Sequence, residues 1–243
     1  MERREGHWLD LGRIPYEPAF AIQERLAKAR IAGQCPTTVV VQENDPVFTI
    51  GRTGSRVNIL ASQEELERRG IKVLNVNRGG DVTYHGPGQI IASPLFYLGD
   101  LDLNANQYLH KLEEVLINTL AHFEIEAGAK EGYPGAWCGE AKIAAVGIAV
   151  KHGYTFHGFA LNVNMDLGPF SLINPCGVKR MPVTSMRCVL GREVDPAEVR
   201  LRLKRMLGRT FGFYFADASV EQTDRMLSPP DYPEDRPTTS SGG

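Results

Sequence analysis

The clearest hydrophobic pattern in the chain lies between residues 104 and 123. Side chains suited to a core recur there at intervals of three and four residues, the spacing of one face of an α-helix. They are Tyr108, Leu109, Leu112, Val115, Leu116, Thr119, Leu120 and Phe123. The pattern predicts that this segment is the longest helix of the fold.

Three further helices are predicted from shorter apolar stripes and from terminal signals. They cover residues 17–33, 62–70 and 195–208. Ser62 and Glu65 form a capping-box pattern at the start of the second of these. The helix at 195–208 is predicted to be the last in the chain.

Short runs of β-branched and apolar residues bounded by turn residues predict strands. They lie at residues 37–42, 47–50, 71–76, 142–150, 154–163 and 211–215. Strands and helices mix without regular βαβ alternation, so the predicted fold class is α+β, with a mixed β-sheet and flanking helices. Residues 1–227 are expected to form a single domain. Residues 228–243, rich in proline and serine, are expected to be a disordered tail.

Composition and charge exclude some classes of binding partner but say little about the fold. The 243 residues carry a formal net charge of -2, which gives no reason to expect nucleic acid or a membrane surface as a partner. No apolar run approaches the ~20 residues that span a bilayer, and the N-terminus lacks an apolar signal stretch. A cytoplasmic location is therefore expected. A monomer is also expected, although composition and charge do not decide the oligomeric state.

Four cysteines, at positions 35, 138, 176 and 188, are the first candidates for chemistry. Their spacing matches no metal site and no disulfide framework, so each is either core filling or a nucleophile. Cys176 lies in a loop between Pro175 and Gly177, where a thiol is open to attack a substrate. Cys138 is the rival nucleophile, although its place beside Trp137 also suits burial.

Lys142 opens a predicted strand and, by strand alternation, shares a face with Ala144 and Val146. A lysine on an apolar face is desolvated, which lowers its pKa and allows proton exchange near neutral pH. The alternative is a lysine at the end of a strand whose ammonium reaches water.

Residues 78–89 contain four glycines, so their backbone can turn sharply and approach a ligand. The segment matches neither the phosphate-binding P-loop nor the dinucleotide-binding glycine pattern. A tight structural loop is the alternative interpretation.

Four motifs in order, RGGDVTYHGPGQ, GEAKIAAVG, FHGFALNVNMDL and INPCG, resemble those of the lipoyl(octanoyl) transferases of protein lipoylation. The resemblance covers roughly residues 10 to 215. It implies a fold similar to the catalytic domains of biotin and lipoate protein ligases, with residues 1–227 as an octanoyltransferase catalytic domain.

The resemblance also implies the reaction and its partners. An octanoyl group would pass from octanoyl-acyl carrier protein to a lysine of lipoyl-domain proteins, such as glycine cleavage H protein and oxo-acid dehydrogenase acyltransferase subunits. Cys176 would carry it as a thioester and Lys142 would act as acid and base, with no cofactor and no metal. The implied substrate-binding residues are Arg78, Gly79, Gly80, Asp81, Val82, Thr83, Tyr84, His85, Ala145, Val146, Gly147, Gly158, Phe159 and Ala160.

Several assignments stay open. Backbone N–H groups near Gly147 or Gly158 are candidates to stabilise an oxyanion. His85 could polarise the carbonyl, position the acceptor lysine or serve structure. Three other functions compete: an ATP-dependent lipoate ligase, a cysteine hydrolase, and a non-catalytic biotin- or lipoate-binding module.

Charge is concentrated in residues 179–209, which contain nine basic and three acidic side chains. Acyl carrier proteins are acidic, so this segment is a candidate docking surface for the donor. A solvated helix face is the alternative.

Overall fold

Ten strands and six α-helices occur in residues 4–227, the part of the chain that the computed structural model describes. The strands are β1 (Arg4–Ile14), β2 (Thr38–Asn44), β3 (Val47–Ile50), β4 (Lys72–Asn75), β5 (Val82–His85), β6 (Gln89–Leu95), β7 (Gly135–Cys138), β8 (Ala141–Lys151), β9 (Tyr154–Asn162) and β10 (Phe213–Ala218). The helices are α1 (Tyr16–Ile31), α2 (Gln63–Arg68), α3 (Ala105–His122), α4 (Met186–Leu190), α5 (Pro196–Phe211) and α6 (Val220–Leu227). The predicted tail at 228–243 lies outside the described residues.

Seven strands form the main sheet in the order β10-β1-β2-β6-β9-β8-β7. Strand β1 runs parallel to β2 and β10, and the other neighbours are antiparallel. A second sheet has the order β4-β3-β5, with one parallel and one antiparallel pair. The predicted mixed sheet with flanking helices is confirmed.

One face of the main sheet is covered by α3 and α5. Helix α3 begins with a capping box between Asn104 and Gln107, and its predicted apolar stripe is buried. The stripe of α5 joins it in the same core, together with sheet residues such as Val146 and Phe159, which pair across β8 and β9. The buried helix residues are Tyr108, Leu112, Val115, Leu116, Leu120, Val199, Leu203, Leu207 and Phe211.

The opposite face of the main sheet is covered by α1 and the small sheet. From α1, Leu26 and Ala29 pack on Leu9 and Val40 of the main sheet. The small sheet and α2 have their own apolar core, formed by Phe48, Ile50, Leu66, Ile71, Val82, Tyr84, Met165 and Ile173. Between these two cores the packing leaves a cavity against the main sheet.

A β-bulge changes the direction of Lys142. Ala136 pairs with Ala144, but the next residue, Trp137, pairs with Lys142, so Ile143 is an extra residue in β8. Directly opposed residues share a face, and the extra residue moves Lys142 off the face that carries Ala144. The bulge therefore breaks the strand alternation predicted from Lys142, although Lys142, Ala144 and Val146 all line the cavity.

Several strands and helices were not predicted from the sequence. Strand β6 is buried along its whole length, so it shows no alternation of apolar and polar residues. Strands β1, β5 and β7 were not predicted, and α6 follows α5, so the helix at 195–208 is not the last. No helix within residues 4–227 is long and apolar enough to cross a membrane.

Candidate active site

A cavity of about 230 Å³ lies between the main sheet, α1 and the small sheet. Its floor includes Ala145, Gly147, Gly158 and Ala160, and these residues pair as Gly147 with Gly158 and Ala145 with Ala160. Their small side chains leave room above the sheet for other groups. The cavity is somewhat below the ~300–1,000 Å³ usual for drug-sized ligands, so it suits a small or slender one.

Cys176 and Lys142 meet at this cavity. The Nζ atom of Lys142 lies 3.6 Å from the Sγ atom of Cys176. Cys176 is exposed and sits in a 3₁₀ turn, Pro175–Gly177, with a φ of 54°. A left-handed backbone is unfavourable for a residue with a side chain and often marks a functional site. The turn presents the thiol to the lysine and to solvent together.

The Cys176 turn is held by the loop that precedes α2. The N–H of Asn174 donates to the carbonyl of Asn58 at 2.7 Å, and Asn58 Nδ2 donates to Asp81 Oδ2 at 2.5 Å. Asp81 also accepts from the N–H of Ser55 at 3.2 Å. Asp81 therefore joins the glycine-rich segment to the loop that carries the nucleophile.

Lys142 is 6% exposed, and burial is the main reason why its pKa is lowered. The negative charges of Cys176 and Glu113 oppose that shift of the Lys142 pKa. The ammonium lies 5.2 Å from the centre of the Trp137 ring, on which a cation is favoured. Such a lysine exchanges protons more readily than an exposed one.

Arg78 brings a buried guanidinium to the cavity. Its Nη2 atom donates to the carbonyl of Thr49 at 2.7 Å and to the Thr49 hydroxyl at 2.8 Å. Arg78 Cδ lies 3.3 Å from where a Cβ on Gly147 would be, so the missing side chain allows the arginine to approach. Within residues 4–227 Arg78 forms no ion pair, and its charge remains available to the cavity.

His85 is neutral and takes part in a chain of hydrogen bonds. Burial, with help from the charge of Arg78, lowers the pKa of His85 to about 4. Its Nδ1 donates to Gln89 Oε1 at 2.8 Å, and its Nε2 lies 3.3 Å from the Thr49 hydroxyl. Gln89 Nε2 in turn donates to Asn162 Oδ1 at 2.9 Å. Because both ring nitrogens are engaged, a positioning role fits His85 better than polarisation of a carbonyl.

His157 and Tyr16 are cavity residues that the sequence did not single out. His157 has a φ of 57° and stacks on Phe20 of α1, with ring centres 5.0 Å apart. Burial lowers the pKa of His157 to about 3 and raises that of Tyr16 to about 12. The motif FHGFALNVNMDL contains His157, but a left-handed φ in mid-strand has no sequence signal for a residue other than glycine.

The structure brings nearly all of the predicted site residues together. Tyr84 is the exception: it lies in the core of the small sheet, in edge-on contact with Phe48 and Phe170, because it alternates with His85 along β5. Cys138 is half-buried, and burial raises the pKa of its thiol. The predicted residues that line the cavity are Arg78, Gly79, Gly80, Asp81, Val82, Thr83, His85, Lys142, Ala145, Val146, Gly147, Gly158, Phe159, Ala160 and Cys176.

Residues 15–208 match the lipoyl protein ligase A/B catalytic domain, a stretch that holds both Lys142 and Cys176. The chain belongs to this family. An octanoyltransferase of Caldicellulosiruptor saccharolyticus is 45% identical over 216 residues, covering 88% of this chain and 92% of the relative. The family resemblance of the four motifs is thereby confirmed.

Solved structures agree on the fold of this lipoyl protein ligase A/B family member. Lipoate-protein ligase A bound with ATP gives a TM-score of 0.69 at 18% identity, covering 92% of each chain. Biotin protein ligase from Aquifex aeolicus, in complex with biotin and ATP, gives 0.51 at 17% identity, covering 85% of this chain and 70% of that one. The predicted similarity to both ligase folds is confirmed.

Proposed function

We propose that this chain transfers an octanoyl group from octanoyl-acyl carrier protein to a lysine of a lipoyl-domain protein, through a thioester on Cys176. The observation that carries the proposal is the 3.6 Å approach of Lys142 to Cys176 at the mouth of a mostly apolar cavity. The octanoyltransferase relative supports the same acyl group.

In the first half-reaction the Cys176 thiolate attacks the carbonyl carbon of the donor thioester. A neighbouring ammonium stabilises a thiolate, and Lys142 provides one. The bond between the carbonyl carbon and the carrier sulfur breaks, and Lys142 gives its proton to the departing carrier thiolate. The products are an octanoyl thioester on Cys176, a carrier thiol and a neutral lysine.

In the second half-reaction the neutral amine of the acceptor lysine attacks the Cys176 thioester. The Lys142 amine takes a proton from the attacking nitrogen, and the Cys176 thiolate leaves. The acceptor gains an amide, and the thiolate–ammonium pair is restored. The lowered pKa of Lys142 suits it to this return of a proton. The oxyanion donors near Gly147 or Gly158 remain a prediction.

The donor carrier is proposed to dock at the rim of the cavity. Four exposed cations, Arg52, Arg56, Lys179 and Arg180, lie on the two segments that flank Cys176. None of the four forms an ion pair with any of the described residues. Complementary charge of this kind speeds the encounter with an acidic partner. We call these four residues the basic rim.

The remaining cations of the 179–209 segment are less suited to docking the donor. Arg200 pairs with Asp10 and Glu43, and Lys204 pairs with Asp217. Both belong to α5, which covers the face of the main sheet opposite the cavity. The docking proposal is therefore restricted to the basic rim.

Transfer in the absence of ATP tests the proposed function. Octanoyl-acyl carrier protein and a lipoyl domain are mixed with the wild-type chain, with Cys176→Ser and with Cys138→Ser, and the acceptor is followed by mass. We expect wild type and Cys138→Ser to acylate the acceptor, and Cys176→Ser to lose on the order of 10³-fold or more. Transfer that requires ATP, or that survives in Cys176→Ser, would contradict the proposal.

A further inference from the structure

One row of cavity residues crosses four strands of the main sheet. Ala145 on β8 pairs with Ala160 on β9, Ala160 with Ile91 on β6, and Ile91 with Gln42 on β2. All four residues line the cavity. Neighbouring strands lie ~4.8 Å apart, so the row is about 14 Å long from Ala145 to Gln42. We call it the acyl row.

The acyl row is apolar except at its far end. Gln42 is 1% exposed, and its Oε1 has no hydrogen-bond partner in residues 4–227. Its Nε2 has a long contact of 3.4 Å to Asn44 Oδ1. A buried amide oxygen without a donor is rare, because the group loses its hydration and gains nothing in return. The end of the row is therefore unfavourable for an apolar group.

A second buried amide, that of Gln23 on α1, lines the same cavity, and its neighbours along the helix place it towards the same end. Phe20 of α1 stacks on His157 of β9, whereas Leu26 packs on the β1–β2 side of the sheet. Gln23 lies between them along the helix and also lines the cavity. It is 3% exposed, and its Oε1 likewise has no partner among the described residues.

The length of the acyl row matches one chain length. Extended C–C bonds of ~1.5 Å advance about 1.3 Å each, so octanoyl spans about 9 Å from carbonyl carbon to methyl and decanoyl about 11.5 Å. An apolar contact needs ~4 Å between atoms, which leaves about 10 Å of the row usable before Gln42. We place the carbonyl carbon of the Cys176 thioester over Ala145. Octanoyl then fits within that distance, and decanoyl reaches the amide of Gln42.

We propose that Gln42 and Gln23 form a polar end-stop that sets the acyl chain length, an inference that rests on the proposed octanoyl transfer. An octanoyl chain on Cys176 covers Ala145, Ala160 and Ile91 and ends before the two amides. Two more carbons press a methyl group against both amide oxygens and prevent any donor from reaching them. Longer chains are thus disfavoured by the polarity of this end of the row.

The expected effect follows from the value of buried methylenes. On a wholly apolar floor, two more carbons would raise kcat/KM about 15-fold. With the end-stop, the kcat/KM of the wild-type chain for decanoyl does not exceed its value for octanoyl. Gln42→Leu makes the end of the row apolar, so its ratio of decanoyl to octanoyl kcat/KM should rise by about 5- to 15-fold. Gln23→Leu should raise the same ratio by a smaller factor.

The experiment compares hexanoyl, octanoyl and decanoyl thioesters of a small thiol as donors, with a lipoyl domain as acceptor. Variants are Gln42→Leu, Gln42→Met and Gln23→Leu, with the exposed Gln34→Leu as control. We expect the decanoyl-to-octanoyl ratio to rise in the first three and stay at the wild-type value in the control. An unchanged ratio in both Gln42 variants would overturn the end-stop.

The wild-type profile tests the same inference without any variant. If decanoyl exceeds octanoyl by about 15-fold, the row has no stop and the proposal is wrong, whether or not the variants fold. Failure of the proposed function looks different: no donor of any length then acylates Cys176. Octanoyl loading with an unchanged ratio would remove only the end-stop.

Discussion

The two faces of the main sheet differ in what their small and large residues do. On the face covered by α3 and α5, large apolar side chains such as Leu116 and Leu203 pack into a continuous buried core. On the cavity face, Gly147 and Gly158 oppose each other and leave space that Arg78 and a ligand can use. The first face stabilises the fold, and the second gives up packing to hold a buried lysine, a buried arginine and two neutral histidines.

This contrast shows where chemistry can be placed on such a sheet. Apolar packing on one side keeps the strands in register, so the other side can carry polar groups that are costly to bury. Lys142 points to the cavity face because the bulge at Ile143 changes the direction of its side chain.

Replacing Lys142 should damage activity most strongly on the cavity face. An arginine keeps the charge but cannot release a proton near pH 7, because its pKa exceeds ~12. Lys142→Arg should therefore lose about 10²- to 10⁴-fold in kcat/KM, nearly as much as Lys142→Ala. Lys130→Arg is the matched control, since Lys130 lies 4.9 Å from the same Trp137 ring but outside the cavity. If Lys142→Arg kept a nearly normal kcat/KM, Lys142 would act only through its charge and not by transferring a proton.

A pair of substitutions should separate stability from activity. Leu116→Ala leaves a cavity at a fully buried position of α3 and should lower the free energy of unfolding by about 2–5 kcal/mol. The folded protein should keep a normal kcat/KM. Gly147→Ala places a methyl 3.3 Å from Arg78 Cδ and 3.4 Å from the Gly79 carbonyl. It should lower kcat/KM on the order of 10-fold or more and cost less stability. Urea unfolding measures the stability of each variant, and steady-state kinetics measures its kcat/KM. If the two variants lost stability and activity to the same extent, the proposed difference between the two faces would be wrong.

The neutral histidines predict a stability loss in acid. The pKa of His85 is about 4 when folded and ~6.5 when unfolded, so between these values the unfolded chain binds the extra proton. The free energy of unfolding should therefore fall as pH drops from 6.5 towards 4, by about 1.4 kcal/mol per pH unit from His85 alone. His85→Gln should flatten this slope in urea titrations, and the exposed His122→Gln should not. An identical slope in His85→Gln would disprove the assignment.

The basic rim should affect only the carrier-bound donor. Reversing Arg56 and Lys179 to glutamate should slow turnover of octanoyl-acyl carrier protein by about 10-fold and leave a small octanoyl thioester within about 2-fold. Reversal of Arg205 and Arg209, exposed on α5, is the matched control and should change neither. Added salt should weaken carrier turnover by wild type, since charges are screened over ~8 Å at physiological ionic strength. If turnover of both donors fell by the same factor, the substitutions would act on the active site and not on docking of the carrier.

The sequence predicted α3, β8 and β9 within one residue at each end but did not predict β6. Helix α3 was predicted within one residue at each end, because Tyr108 to Leu120 repeat at helical spacing and Asn104 caps the start. Strand β6 was missed, because a strand buried on both faces has no alternation to detect. Periodicity alone therefore does not detect a strand such as β6, which is buried along its whole length.

The sequence motifs identified the site residues, and the structure showed how those residues are arranged. Lys142 and Cys176 stand out in the sequence, but their 3.6 Å approach depends on the bulge at Ile143 and on a left-handed Cys176. Gln42 lies in an ordinary strand pattern, and only the pairing of four strands shows that it ends the acyl row. Features that come from register between distant strands are invisible in the local sequence.

We propose that Cys176 carries the octanoyl group between donor and acceptor. The direct measurement mixes the chain with octanoyl-acyl carrier protein alone, determines the intact mass, and maps the adduct by peptide analysis. We expect one octanoyl group, on Cys176, which is lost when a lipoyl domain is added. An adduct on Cys138, or transfer to the lipoyl domain with no adduct on the chain, would contradict it.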